Sequence, residues 1–250
     1  MGLLTLGAIV IGGIFAAQQD IKTETVFYNE GETQCEGFVA HKAGIKKAPV
    51  VLIVHDWNGQ DDYERGRAKQ IAELGYIGFA IDVYGRGVRP TNAQESGKQA
   101  MTYYADNALF RRRLTAAYEQ AKKLPGADPN RIAVMGYCFG GSGSLELARS
   151  GANLVGAVSF HGGLSTSNPA KPGVVKCPIL VLHGAADPVV PKAQVDAFAK
   201  EMNDAKVKWS MVSYPGAVHA FTVPGPNYQE EADKKSWEEM RKFFLKVFHN

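Results

Sequence analysis

The segment Gly136-Tyr-Cys-Phe-Gly-Gly141 constrains the fold of this chain more than any other. It follows an apolar run, residues 131–135, that predicts a buried strand, and it precedes residues 144–149, which predict a helix. A nucleophile between small residues, placed between a strand and a helix, is typical of the sharp turn called a nucleophile elbow. Glycines flank such a turn because the backbone is strained and a Cβ would clash. Cys138 is therefore the candidate nucleophile, and an acid and a histidine are expected after later strands, in that order.

Two later loops contain these partners. Asp187 follows the predicted strand 178–182, and His219 follows the predicted strand 208–214. We interpret His219 as the base that takes the thiol proton, and Asp187 as the carboxylate that orients the imidazole. A loop-capping role for Asp187 and a structural role for Cys138 are the alternative interpretations.

The pattern of apolar segments predicts the fold class. Residues 22–28 and 35–40 alternate in polarity around a turn at 29–32, which predicts an antiparallel N-terminal hairpin. From residue 49 onward, apolar strands alternate with amphipathic helices, which is typical of a mostly parallel sheet with helices on both faces. We therefore predict a single α/β domain over residues 21–250, with its site beyond the carboxyl ends of the strands.

Residues 1–19 differ from the rest because they contain no charged side chain. We predict an export leader, which would place the protein in the periplasm or outside the cell. An uncleaved membrane anchor and a cytoplasmic extension remain open as alternatives, although residues 2–17 would form a helix of only about 24 Å.

Composition narrows the range of partners. A net charge of +3 is too small to indicate nucleic acid or an anionic membrane surface as a partner of the folded domain. Three cysteines do not indicate a disulfide framework, and we interpret Cys35 and Cys177 as packing residues. No metal-ligand motif is present, and Gly140–Gly143 lacks the lysine of a phosphate-binding loop, so we expect neither metal nor cofactor. The expected partner is a small molecule, and the chain is expected to be a monomer or a small homo-oligomer.

The elbow also predicts how the site would work. A thiolate at Cys138 would attack an ester carbonyl and form a thioester. The backbone N–H groups of Phe139 and Trp57 are the candidate oxyanion donors, since the first follows the nucleophile and the second follows the 49–55 strand. The candidate substrate contacts are Arg86, Tyr137, His161 and Phe221.

Four segments together resemble the dienelactone hydrolase family of the α/β-hydrolase fold, from about Ile21 to Phe248. They are Gly136–Gly141, His183–Asp187, Gly216–Phe221 and Val54–Gly59. The resemblance implies hydrolysis of small esters or lactones without a cofactor. It also implies a second acid, which hydrogen-bonds the resting thiol and accepts its proton as substrate arrives, and this position matches Asp56.

The chain departs from the family pattern at two positions. Asp56 stands where the best-known members have glutamate, and Val223 stands where they have an arginine that binds a substrate carboxylate. Arg86 and Arg89, after the 77–83 strand, are the candidates to replace that arginine. We therefore expect a small ester or lactone as substrate rather than dienelactone itself.

Two other functions fit the same motifs. A thioesterase or acyltransferase would use the same nucleophile and base on another acyl donor. A non-catalytic binding protein that keeps the fold would leave Cys138 inert.

Overall fold

The computed structural model describes residues 20–249. The leader predicted for residues 1–19 lies outside the described residues. Between residues 20 and 249, no helix combines the length and the apolar character needed to cross a bilayer.

Strands and helices alternate after an N-terminal hairpin. The strands are β1 Ile21–Glu30, β2 Thr33–Lys42, β3 Ala48–Val54, β4 Ile77–Ile81, β5 Ala127–Tyr137, β6 Gly156–Phe160, β7 Ile179–Gly184 and β8 Trp209–Tyr214. The helices are α1 Asp62–Glu73, α2 Ala93–Ala105, α3 Asn107–Ala121, α4 Phe139–Arg149, α5 Lys192–Asp204 and α6 Glu230–His249.

One sheet joins these eight strands, in the order β1-β2-β4-β3-β5-β6-β7-β8. The pairs β1–β2 and β2–β4 are antiparallel, whereas β4–β3 and all the pairs from β3 to β8 are parallel. The predicted fold class, a mostly parallel sheet with an antiparallel N-terminal hairpin, is confirmed.

Helices cover both faces of the sheet. On β3, Val50, Leu52 and Val54 contribute to one core, which contains side chains from α2, α3, α4 and α5. Val51 and Ile53 point the other way, into a core shared with α1 and α6. Because successive strand residues face opposite sides, a strand buried on both faces must be apolar throughout, as β3 is.

Helix α2 was not predicted, and its sequence explains why. Only three of its side chains are buried, Ser96, Ala100 and Tyr103, so the apolar stripe is too weak to indicate a helix. The helix begins because the side chain of Asn92 accepts a hydrogen bond from the N–H of Glu95, at 3.0 Å. It ends at Asp106, whose side chain then caps α3. Local capping thus supports a helix over the site that the hydrophobic pattern does not reveal.

Candidate active site

The nucleophile elbow lies between β5 and α4. Cys138 lies at the turn, with φ 53° and ψ −114°. Residues other than glycine rarely adopt such a backbone conformation. The neighbouring glycines allow close backbone approach: a Cβ on Gly136 would lie 2.1 Å from the carbonyl oxygen of Gly140. A Cβ on Gly140 would lie 2.1 Å from the carbonyl oxygen of Val54, on β3. The small residues of the motif are therefore required by packing as well as by the turn.

Three loops at the carboxyl ends of parallel strands bring the predicted triad together. The Nε2 atom of His219 lies 3.0 Å from the Sγ atom of Cys138. The Nδ1 atom of the same ring lies 2.9 Å from Oδ2 of Asp187. Cys138 is partly exposed, whereas the side chain of Asp187 is fully buried. This geometry allows His219 to exchange a proton with the sulfur while Asp187 holds the ring.

Hydrogen bonds set the charge of the carboxylate and the imidazole. Burial alone would raise the pKa of Asp187, but hydrogen bonds from His219 and from the N–H groups of Val189 and Val190 lower it. Burial alone would lower the pKa of His219, but its hydrogen bonds to Asp187 and Cys138 raise it to about 10. At neutral pH His219 is therefore protonated, and the imidazolium faces the sulfur of Cys138.

One candidate oxyanion donor lies at the start of α4, and the other lies in the loop after β3. Phe139 is the first residue of α4, so its N–H is at a helix N-terminus. Within the described chain, the N–H of Trp57 has no hydrogen-bond acceptor, while its carbonyl accepts from the hydroxyl of Tyr84 at 3.0 Å. The hydrogen bond to Tyr84 fixes the orientation of that loop and leaves the Trp57 N–H free for a ligand.

Asp56 is buried in the same loop, next to Trp57. Its Oδ1 accepts from the N–H of Asn58 at 2.7 Å, and its Oδ2 accepts from the side-chain amide of Asn58 at 3.3 Å. Burial raises the pKa of Asp56 to about 6. The described hydrogen bonds of Asp56 do not include the thiol, whose hydrogen-bond partner is His219.

The four candidate substrate contacts lie in different surroundings. Tyr137 and Phe221 have no exposed surface and pack within the core shared with α1 and α6, so their contact with substrate stays a prediction. His161 is also fully buried, with its ring 5.5 Å from that of His219. Arg86 is exposed, but its guanidinium lies against the β1–β2 hairpin, where it contacts Gln34 and Glu36.

Residues of α2 that sequence reasoning missed lie over the elbow. The hydroxyl of Tyr104 lies 3.3 Å from Oγ of Ser142, and its ring packs edge-on against Phe139, with centroids 5.5 Å apart. Although 43% of Tyr104 is exposed, desolvation of the hydroxyl and then the charge of Cys138 raise its pKa. Trp57, 38% exposed, lies beside Gly97 of the same helix. The only sequence signal for these contacts is the aromatic character of Tyr104, since α2 itself was not predicted.

The two other thiols are in a different environment from that of Cys138. Cys35 and Cys177 are buried, and burial raises the pKa of the first to about 11 and of the second to about 12. In residues 20–249, no three His, Cys, Asp or Glu side chains are grouped so as to hold a metal ion.

Comparisons with known proteins identify the family of this chain. The model of the dienelactone hydrolase family matches residues 35–248. A solved dienelactone hydrolase-like promiscuous phosphotriesterase from metagenomic libraries is 33% identical, with a TM-score of 0.85, and the match covers 91% of this chain and 99% of that one. A "Putative carboxymethylenebutenolidase" of Synechocystis sp. is 25% identical over 240 residues, which cover 90% of this chain and 97% of the relative. The chain therefore belongs to the dienelactone hydrolase family and is a hydrolase of ester bonds.

Proposed function

We propose that the chain hydrolyses small carboxylic esters or lactones through a Cys138–His219–Asp187 triad, without a cofactor. One observation carries this proposal: His219 lies 3.0 Å from the sulfur through one ring nitrogen and 2.9 Å from Asp187 through the other. A thiolate nucleophile, a base and an orienting carboxylate are the groups that acyl transfer requires.

The first half-reaction forms a thioester. The thiolate of Cys138 adds to the acyl carbon, and the carbonyl electron pair moves onto oxygen, where the N–H groups of Phe139 and Trp57 stabilise it. The tetrahedral intermediate collapses, the carbon–oxygen bond of the ester breaks, and the leaving alkoxide takes the proton from Nε2 of His219.

The second half-reaction releases the acid. Nε2 of His219 takes a proton from a water molecule, which adds to the thioester carbon. Collapse of this second intermediate breaks the carbon–sulfur bond and restores the thiolate beside the imidazolium. With a lactone, the alcohol and the acid remain in one molecule, so the product is a single hydroxy acid.

We propose Asp56 as the second acid of the site, which accepts the proton of a resting neutral thiol. A pKa of about 6 suits a group that exchanges a proton near neutral pH. The transfer requires the carboxylate to leave the side-chain amide of Asn58, to which it is held at 3.3 Å, and to approach the sulfur.

The charges near the site favour an uncharged substrate. Arg86 lies 3.5 Å from Glu36, and Arg89 lies 3.5 Å from the buried carboxylate of Asp82, so each guanidinium already has an acidic partner. Val223 supplies no charge at the position where the family resemblance places an arginine. We therefore expect neutral esters and lactones to be turned over faster than analogues that carry a free carboxylate.

Turnover of defined substrates tests the proposal. We expect hydrolysis of short p-nitrophenyl esters and of simple lactones, and one equivalent of iodoacetamide should label Cys138 and abolish activity. Cys138→Ala should abolish both hydrolysis and labelling, whereas Cys177→Ala, at a buried thiol, should keep both. Ester turnover by Cys138→Ala would refute the triad, and cleavage of acyl-CoA without turnover of any ester would identify a thioesterase instead.

A second activity, hydrolysis of phosphotriesters, is suggested by the solved neighbour described as a promiscuous phosphotriesterase. The thiolate would displace an aryloxide from phosphorus, and water would then release the phosphodiester. Diethyl p-nitrophenyl phosphate tests this activity. Continuous release of p-nitrophenol would support it, whereas a single equivalent followed by inactivation would show that the phosphorylated cysteine is not hydrolysed.

A further inference from the structure

His161 has a hydrogen-bond partner on each ring nitrogen, and the two partners belong to different parts of the candidate site. Its Nδ1 lies 3.1 Å from the backbone nitrogen of Cys138. Its Nε2 lies 2.8 Å from Oγ1 of Thr222, three residues after His219 in the loop that carries the base. The ring has no exposed surface, so it joins the nucleophile to the base loop from inside the protein.

The direction of the hydrogen bonds fixes the tautomer. The backbone N–H of Cys138 can only donate, so Nδ1 of His161 must accept and Nε2 must carry the hydrogen that is donated to Thr222. Burial, followed by the charge of His219, lowers the pKa of His161 to about 3, so the ring stays neutral beside the imidazolium. A second proton on Nδ1 would place two donors face to face and break the contact with Cys138.

The contact holds two strained backbones. Cys138 has φ 53°, and His161 has φ 38° at the end of the neighbouring strand β6. The same N–H of Cys138 also lies 3.0 Å from the carbonyl oxygen of Phe160, so two acceptors at the end of β6 share this one donor of the elbow. Strained conformations of this kind persist only where surrounding contacts over-determine them.

Hydrogen bonds also connect Thr222 to helices α1 and α6. Oγ1 of Thr222 lies 2.8 Å from the hydroxyl of Tyr63, which also accepts a hydrogen bond from Arg67 at 3.2 Å. Arg67 in turn pairs with Asp233 of α6 at 2.7 Å. The base loop is therefore fixed to α1 and α6 at the same residue that His161 contacts.

We propose that His161 is a positioning residue, which sets the distance between the sulfur of Cys138 and Nε2 of His219 by joining the elbow to Thr222. The proposal rests on the proposed function, since it needs Cys138 and His219 to act as a pair. A histidine that only fills the core would contribute to stability and nothing more. The two roles differ in one respect: only a positioning role predicts that loss of the His161–Thr222 hydrogen bond changes the reactivity of Cys138 in the folded protein.

Thr222→Val tests the His161–Thr222 hydrogen bond, because it removes the hydroxyl and keeps the shape of the side chain. Thr222→Ser, which keeps the hydroxyl, is the control. The main measurement is the rate at which iodoacetamide alkylates Cys138 as a function of pH. Cys138, Asp187 and His161 face the ring of His219, with His183 nearby, and all four remain unchanged in both variants. The kcat and KM for p-nitrophenyl acetate and the urea unfolding curve complete the comparison.

We expect Thr222→Val to raise the pH midpoint of alkylation by about one unit and to lower kcat by roughly ten- to a hundredfold, with little change in KM. Thr222→Ser should restore both. His161→Asn keeps an acceptor near Cys138 but cannot reach Thr222, so adding Thr222→Val to it should cause no further loss of kcat.

Two results would overturn the proposal in distinguishable ways. If the wild-type thiol is reactive and Thr222→Val lowers only the unfolding midpoint, with the alkylation profile and kcat unchanged, His161 is a core residue and the proposed function stands. If alkylation of the wild-type thiol is no faster than that of a free cysteine, the Cys138–His219 pair fails, and the positioning role fails with it.

Discussion

Replacing Asp56 by asparagine should make the protein more stable at neutral pH. Only 6% of the Asp56 surface is exposed, and desolvation raises the pKa of its carboxyl from 3.8 to about 6. At 1.36 kcal/mol for each pKa unit, holding this group ionised in the folded protein costs about 3 kcal/mol. The charge of Asp61, the N-cap residue of α1, acts in the same direction.

The sign follows from proton linkage. An acid whose pKa is higher in the folded than in the unfolded state binds more protons when folded, so unfolding becomes easier as pH rises from 3.8 through 6. The cost is about 1 kcal/mol at pH 4.5 and about 3 kcal/mol at pH 8, with the full cost present above both pKa values. The amide that replaces the carboxyl in Asp56→Asn does not titrate, and its oxygen can still accept from the N–H of Asn58.

Urea unfolding at pH 4.5 and pH 8 measures this effect. The free energy of unfolding of Asp56→Asn, relative to wild type, should rise by about 2 kcal/mol between the two pH values. Asp62→Asn, at a fully exposed side chain in the next helix, is the control and should show no comparable change between them. A pH-independent difference for Asp56→Asn would refute the argument from burial. If Asp56 also accepts the thiol proton, the same variant should be more stable and less active.

Three further predictions concern the elbow and the triad. Gly140→Ala should destabilise the fold by about 3 kcal/mol or more, because the new Cβ would lie 2.1 Å from the carbonyl oxygen of Val54. Gly66→Ala, on α1, should stabilise the fold by about 0.5–1 kcal/mol, because the new Cβ has open space around it. Thermal melts of both variants check this, and equal melting temperatures would contradict it. Asp187→Asn should keep the fold and lower kcat by about 10⁴-fold, because the amide favours the wrong tautomer of His219. Steady-state kinetics measure this kcat, and a loss below tenfold would argue against the orienting role of Asp187. Cys138→Ser should keep the fold, shown by circular dichroism, and lose most ester turnover, since a hydroxyl is far less acidic than a thiol; near-parental kcat would show that sulfur is not required.

Much of the fold could be predicted from the sequence because its signals are local. The continuous apolar run of β3 and the turn at Gly31 follow from burial on two faces and from glycine at positive φ. The elbow around Cys138 is also visible, since backbone approach between Gly136 and Gly140 permits only glycine there. Helix α2 could not be predicted, because it is held by capping and by a few buried side chains rather than by an apolar stripe.

The support of the site could not be predicted, because its contacts join residues that are far apart in the chain. His161 contacts Thr222, and Thr222 contacts Tyr63, across 61 and 159 residues respectively. No periodic pattern relates such positions, and each residue by itself has an ordinary interpretation: a histidine after a strand, a threonine in a loop, a tyrosine in a helix. Strong motifs mark the groups that would react, since those are restricted by chemistry. The groups that hold them need only a donor or an acceptor at one point in space, and many sequences meet that condition, so the structure is required to find them.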